Sequence, residues 1–360
     1  MRFLSASIHD FRNISSAEVS IDAEDIVLTG INGQGKTNFL EAVYTLCYGS
    51  SFRTSHIREC VRNGSDGFCP SAYALDDKGI KERITVSFSG GKRRIEIDGK
   101  EVVDRKDLIY RFPCIVFSHD DILFVKGEPE MRRRFFDQMM SLYSPLFFDS
   151  MRSYRSILMQ RNAAVRKGDR ILAGLYDGRL ALFGIEIMKS RAEAVYGFNR
   201  IFPDLYRKIS GRDDEITVRY QPSWGSMDEA EDIEGYLKEN IDRDMVLSTT
   251  TSGPHRDRFT VMCGSSPFAV IGSTGQIRLA SILFRIAEAV YFTDKTGIKP
   301  MLLIDDVLLE LDSAKRGMVL SSLPGYSQSF YTFLPRESYF SDRKERVLSY
   351  RVEEGGFFLD

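Results

Sequence analysis

The sequence predicts an α/β fold with antiparallel strands appended to it and a compact helical subdomain inserted into it. Three observations carry this expectation. The apolar run Ile26-Val27-Leu28 leads into a glycine-rich turn, GINGQGKTN from Gly30 to Asn38, and then into apolar residues at Phe39, Leu40, Val43 and Leu46, which is helical spacing. A second apolar run, Met301 to Ile304, ends in two acids, Asp305 and Asp306. About 260 residues separate the two, whereas a crossover between parallel strands needs only a dozen or so, so something is inserted.

The turn has the form G-x-x-x-x-G-K-[ST], and its setting between strand and helix is what a phosphate-wrapping loop requires. Gly30, Ile31, Asn32, Gly33, Gln34, Gly35, Lys36, Thr37 and Asn38 are therefore expected to bind a nucleotide, with ATP and Mg²⁺ as cofactors. Glycines let backbone N–H groups turn inward, and the helix N-terminus adds partial positive charge. Lys36 is expected to reach the β- and γ-phosphates and Thr37 to ligate Mg²⁺.

A phosphate loop also needs a carboxylate for the metal and a group to position water. The continuously apolar run before Asp305 reads as a parallel strand covered on both faces, and adjacent acids at its tip are costly unless a cation or water meets them. Asp305 is expected to ligate Mg²⁺ and Asp306 to act as the water-positioning base. Upstream, Ser273-Thr274-Gly275-Gln276 opens a predicted helix running to about Phe292. There Ser273, Gly275 and Gln276 form a second anion-binding end, and Arg278, Ser281, Arg285 and Glu288 make one polar stripe on an apolar rod.

Residues 127–244 read as helices without a sustained heptad repeat and without a C-x-x-C hook, which argues against a long coiled coil. The expected organisation is an ATPase core split into residues 1–126 and 245–360 around a helical subdomain at 127–244. Lys81 to Lys100 alternates around Gly90-Gly91 and reads as an antiparallel hairpin.

Composition narrows the remaining classes. Net charge is −2, from 49 basic against 51 acidic residues, so nucleic-acid binding has to come from local clusters. The candidates are Lys92-Arg93-Arg94, Arg105-Lys106, Arg132-Arg133-Arg134 and Arg161 to Lys167; each reads equally well as a solvated face, and phosphate contact rather than base readout is expected of any that meets nucleic acid. Five cysteines without a C-x-x-C pair suggest neither a disulfide framework nor a zinc knuckle and fit a reducing cytoplasm. No long uncharged apolar stretch occurs, so no membrane partner is expected. His255 reads as structural.

A Walker-type loop, a Ser-x-Gly-Gln helix start and a strand ending in Asp-Asp with a Leu-Asp beyond it together resemble the ATP-binding-cassette head of SMC-like DNA-repair ATPases. More specifically, DFRN (10–13), NGQGKTNFLEA (32–42), SFRT (51–54), RRRFFD (132–137), QRNA (160–163), GPHRD (253–257), STGQIR (273–278) and LLIDDVLLELD (302–312) resemble the RecF family of bacterial recombination mediators, in the family's order. The resemblance implies an ABC-type P-loop ATPase head and an ATP-dependent homodimer acting in DNA repair, replication and the SOS response. It also implies binding to double-stranded DNA and to single/double-strand junctions, with RecR and RecO-type mediators as partners. Three departures stand out: Arg258 in place of an acid, Ser118-His119-Asp120-Asp121 in place of a Pro-Glu-Asp pattern, and Leu308-Leu309 where a small polar residue is usual. A transporter ATPase subunit or a P-loop kinase is the alternative. The first should carry a fuller Leu-Ser-Gly-Gly-Gln and a Glu after the strand Asp, and the second has no need of Ser273 to Gln276.

Overall fold

The computed structural model describes residues 1–76, 78–335 and 347–360. Residues 336–346, within the expected C-terminal half of the ATPase core, lie outside the described residues. The chain divides into two compact units, Met1–Asp121 with Phe292–Asp360, and Ile122–Tyr291.

The first unit holds two sheets. One runs Gly356–Leu359, Val347–Glu353, Asp25–Thr29, Gln328–Phe333, Met301–Ile304, Cys114–Phe117 in spatial order. Only its first pair is antiparallel; the others are parallel, with Thr29 opposite Phe333, and Ile304 opposite both Tyr331 and Phe117. The carboxyl ends of five strands therefore share one edge, the place where open parallel sheets bind ligands. Every residue of Met301–Ile304, Gln328–Phe333 and Cys114–Phe117 is buried, as the uninterrupted apolar run before Asp305 predicts.

The other sheet is antiparallel, in the order Ile14–Ser20, Arg2–Phe11, Ser71–Leu75, Lys81–Ser89, Lys92–Ile97, Lys100–Glu101, with Gly67–Phe68 paired to Lys81–Ser89. The predicted hairpin is here: Ser89 pairs with Lys92, and the intervening Gly90 and Gly91 take φ of 56° and 76°, the left-handed values that a two-residue hairpin turn requires. Helix Lys36–Tyr48 shares one apolar core with both sheets, including Phe39, Leu40, Val43, Leu46, Ile84, Val86, Leu303 and Phe330. Each fully buried Phe39, Leu40, Val43 and Leu46 side chain is worth about 1.5–3 kcal/mol relative to exposure. That packing fixes the helix, and with it the loop at its N-terminus.

The second unit is mainly helical. Its longest helices are Pro145–Arg166, Asp177–Phe198 and Thr274–Thr296, of 22, 22 and 23 residues, around a cluster of Phe135, Phe136, Phe198, Phe202 and Phe284. No helix among the described residues is long and apolar enough to cross a membrane. This unit extends to Tyr291, so the boundary expected at 244/245 is displaced. The reason is a strand pair: Ile216–Gln221 runs antiparallel to Arg258–Cys263, with Ile216 opposite Cys263 and Gln221 opposite Arg258. A strand inside the expected insert finds its partner after it, which helical spacing does not reveal.

Candidate nucleotide site

The loop from Gly30 to Lys36 depends on glycine at three positions. Gly33 and Gly35 have φ of +84° and +118°, and a Cβ on Gly30 would stand 2.6 Å from the carbonyl oxygen of Val352. Gly35 caps helix Lys36–Tyr48 without any side-chain cap, so the first-turn N–H groups stay directed at the loop, the arrangement that favours an anion. Lys36 is only 4% exposed and arches over the loop, its Nζ donating to the carbonyls of Gly30 at 2.7 Å and Ile31 at 3.3 Å.

Outside residues brace the loop. Asn13 donates from Nδ2 to the Gln34 carbonyl at 3.1 Å and accepts at Oδ1 from Asn38 at 2.7 Å. Gln34 accepts at Oε1 from the Glu354 N–H, and its carbonyl accepts from the Gly355 N–H. Below it, fully buried Glu41 receives two hydrogen bonds from Arg12, at 2.9 and 2.7 Å, one from Arg53 and one from Ser51. Burial opposes ionisation of Glu41, but the Arg12 contacts, with Ser51 and Arg53, outweigh it and hold the carboxyl below the usual range. Sequence reasoning missed Asn13 and Glu41 as supports. The signal was a lone carboxylate on an inward face of an apolar helix, with Arg12 and Arg53 in two of the short stretches that carry the family resemblance.

The two acids meet this loop. Thr37 donates from Oγ1 to Asp305 Oδ1 at 2.8 Å although 268 positions separate them. Thr332, on the adjacent strand, accepts the Asp306 N–H at 2.8 Å; its hydroxyl proton has Asp306 Oδ1 at 2.8 Å and Asp305 Oδ1 at 3.1 Å within reach. Burial raises the Asp305 carboxyl above its ordinary value, and the charge of Asp306 adds to this; the hydroxyls of Thr37 and Thr332 act in the opposite direction. Among the described residues no ion pair neutralises Asp305 or Asp306. Asp306 itself takes a left-handed conformation, φ 54° and ψ −3°, which for a residue with a Cβ costs of order 1–3 kcal/mol and has to be held by its surroundings. Thr332 is a further residue missed, because strand order decides which side chain sits beside an acid and no local pattern encodes that order.

Ser273, Gly275 and Gln276 lie in the second unit. Ser273 accepts the Gln276 N–H at 3.3 Å, and Gln276 Oε1 accepts the Ser273 N–H at 2.8 Å, a reciprocal capping box at the start of helix Thr274–Thr296. Gly275 is exposed and a Cβ there would meet nothing within 4 Å. The polar stripe behind it is buried: Ser281 and Glu288 are 5% and 3% exposed, and Arg285 pairs with Glu288 at 2.8 Å while lying over Phe124.

Several basic residues expected to contact phosphate serve the fold instead. Arg161 is fully buried, bonded to Asp177 and Asp244 at 2.6 Å each. Arg132 donates to the carbonyls of Phe259 and Gly127, and Arg133 to that of Asp257. Arg134, Arg166 and Lys167 remain exposed. His255 is structural as expected, with Nε2 donating to the Thr250 carbonyl at 3.0 Å and Nδ1 accepting from Tyr154 at 2.8 Å.

Known proteins share this arrangement of sequence and fold. The family described as RecF/RecN/SMC N terminal domain matches residues 4–346. The DNA replication and repair protein RecF of Treponema pallidum (strain Nichols) is 36% identical over 358 residues, covering 96% of this chain and 98% of that protein. The chain belongs to the RecF family. A solved structure described as the recombination mediator protein RecF-ATP in the RecFOR pathway superposes with a TM-score of 0.90 at 26% identity, over 100% of this chain and 99% of that one. The SmcHead bound to the C-winged helix domain of ScpA shares the fold more distantly, with a TM-score of 0.58 and 13% identity over 100% and 97% of the two chains. The ABC-type head expected from the motifs is thus the fold family members adopt.

Proposed function

We propose that this chain is an ATP-dependent, DNA-binding recombination mediator that dimerises when ATP binds, acts at gaps and single/double-strand junctions, and resets by slow hydrolysis. The observation that carries the reading is the 2.8 Å contact between Thr37 and Asp305 beside a loop that holds Lys36. The structure of a family member in its RecF-ATP form supports the choice of nucleotide. RecR- and RecO-type proteins, and a cytoplasmic place of action, belong to the same reading.

Lys36 and the N–H groups of the Gly30–Asn38 loop bind the phosphates. The Thr37 hydroxyl and Asp305 carboxylate are hard oxygen donors of the kind Mg²⁺ takes alongside phosphate oxygens and water, and the buried, uncompensated Asp305 fits a cation. Bound there, Mg²⁺ would offset the phosphate charge. Asp306 orients water and accepts its proton. Its side chain is one methylene shorter than the Glu of mechanical cassette ATPases, and a misplacement of that order costs about a hundredfold in rate, so ATP acts as a timer. Ser273, Gly275 and Gln276 meet the γ-phosphate held by a second copy, which makes each site composite.

Light scattering with ATP, ADP or neither tests the reading. ATP alone should double the mass, Ser273→Arg should prevent the doubling, and Asp306→Asn should keep the ATP-bound dimer on DNA. Equal masses in all three conditions would contradict it.

A further inference from the structure

Resting on that reading, we infer that His119 is a positioning residue for ATP hydrolysis, acting through Glu310 on the turn that presents Asp306. The acidic strand Met301–Ile304 lies between Gln328–Phe333 and Cys114–Phe117, and both neighbours hold the backbone beyond its tip. On one side Thr332 takes the Asp306 N–H and reaches its carboxylate, both at 2.8 Å. On the other side Asp305 donates its N–H to the Phe117 carbonyl at 3.0 Å, and two residues further His119 donates from Nδ1 to Glu310 Oε1 at 2.8 Å.

Glu310 ends the single 3₁₀ turn Val307–Glu310 that Asp306 caps, in which the Asp306 carbonyl accepts the Leu309 N–H at 3.1 Å. The left-handed backbone of Asp306 is thus held at its start by Thr332 and at the far end of its turn by His119. Arg316 secures the same turn from behind, donating to the carbonyls of Leu308 at 2.9 Å and Leu311 at 3.0 Å. Through these bonds it fixes the backbone where the turn leaves, and a separate contact ties the turn to the loop that follows Cys114–Phe117. His119 makes that contact, and its own loop is braced: Ser118 donates its N–H to Asp121 Oδ2 at 2.8 Å, and Asp121 donates its N–H to the Ser118 carbonyl at 3.0 Å.

The His119 side chain is 56% exposed and Glu310 21% exposed. The strap therefore contributes little to folding, as partly exposed ion pairs do, and its consequence lies in where Asp306 points. A small angular error at a base is read directly in the chemical step.

Steady-state hydrolysis of Mg²⁺-ATP by the full chain, with melting temperature measured in parallel, tests this. His119→Ala should lower kcat by about three- to tenfold with KM and melting temperature unchanged. His119→Asn, which keeps a donor near the Nδ1 position, should restore most of the loss, and Glu310→Ala should match His119→Ala without adding to it in the double variant. A His119→Ala protein with wild-type kcat, or one whose only change is in KM or melting temperature, overturns the inference while leaving the nucleotide reading intact. A wild-type chain that binds ATP but never hydrolyses it rejects both.

Discussion

Buried charge is handled in opposite ways in the two units. In the helical unit each buried guanidinium joins two carboxylates: Arg161 bonds Asp177 and Asp244, and Arg191 bonds Asp137 and Asp257, the latter also receiving the Tyr220 hydroxyl at 2.5 Å. In the nucleotide unit Asp305 is 7% exposed, yet among the described residues its carboxylate is met by the hydroxyls of Thr37 and Thr332 rather than by a cation, and its neighbour Asp306 is another acid. The first arrangement carries its own counter-charges and ties helices together, although Nη2 of Arg161 and Oδ2 of Asp177 have no hydrogen-bond partner among the described residues. The second lacks a counter-charge among the described residues, and the proposed Mg²⁺ would supply one. Glu41 separates unit from role: it is buried in the nucleotide unit but satisfied by Arg12, Arg53 and Ser51, and it serves the fold.

The sharpest way to break this comparison is to remove one partner from each arrangement. Arg191→Leu leaves Asp257 buried without its guanidinium and Asp137 with the looser Arg155 contact at 3.9 Å, and is expected to destabilise the chain by about 3–5 kcal/mol, read as a lower denaturant midpoint. A loss below about 1 kcal/mol would mean that the network is not the tie proposed.

A smaller effect is expected from pH. Burial, reinforced by the charges of Arg256 and Arg133, pushes the His255 imidazole down to about 4 from an ordinary value of 6.5, despite the opposing hydrogen bond to the Thr250 carbonyl. Because the folded value lies below the unfolded one, the contribution of neutral His255 is complete above pH 6.5 and is lost as pH falls through about 4. Unfolding measured across that window should show a flatter acid arm for His255→Gln than for the wild type. Parallel profiles would assign the acid sensitivity to other groups.

The same contrast explains what could be read from the sequence. The loop Gly30–Asn38 and the strand tipped by Asp305 and Asp306 were legible as elements that meet, because spacing along the chain encodes a turn that only glycine can make and acids closing a fully apolar strand; the chemistry assigned to them belongs to the proposal. Thr332, Asn13 and Glu41 were not, since their roles arise from strand order and long-range pairing. Arg132 and Arg161 were misread because a run of basic residues looks the same whether it faces water or ties a core together. The boundary near 244 failed for a related reason, as Arg258–Cys263 pairs with a strand inside the expected insert.

Asp305→Asn offers the most direct test of the claim that Asp305 is a site rather than a structural charge. An amide can still accept the Thr37 proton, and no buried cation is left unpaired, so the melting temperature should stay within a few degrees of wild type, equivalent to less than about 1 kcal/mol. Titrating ATP with and without Mg²⁺ should then separate the two proteins: wild type binds more tightly when Mg²⁺ is present, and Asp305→Asn loses that difference. A variant that melts far below wild type, or one whose ATP affinity still rises with Mg²⁺ as much as the wild type's does, would contradict the account.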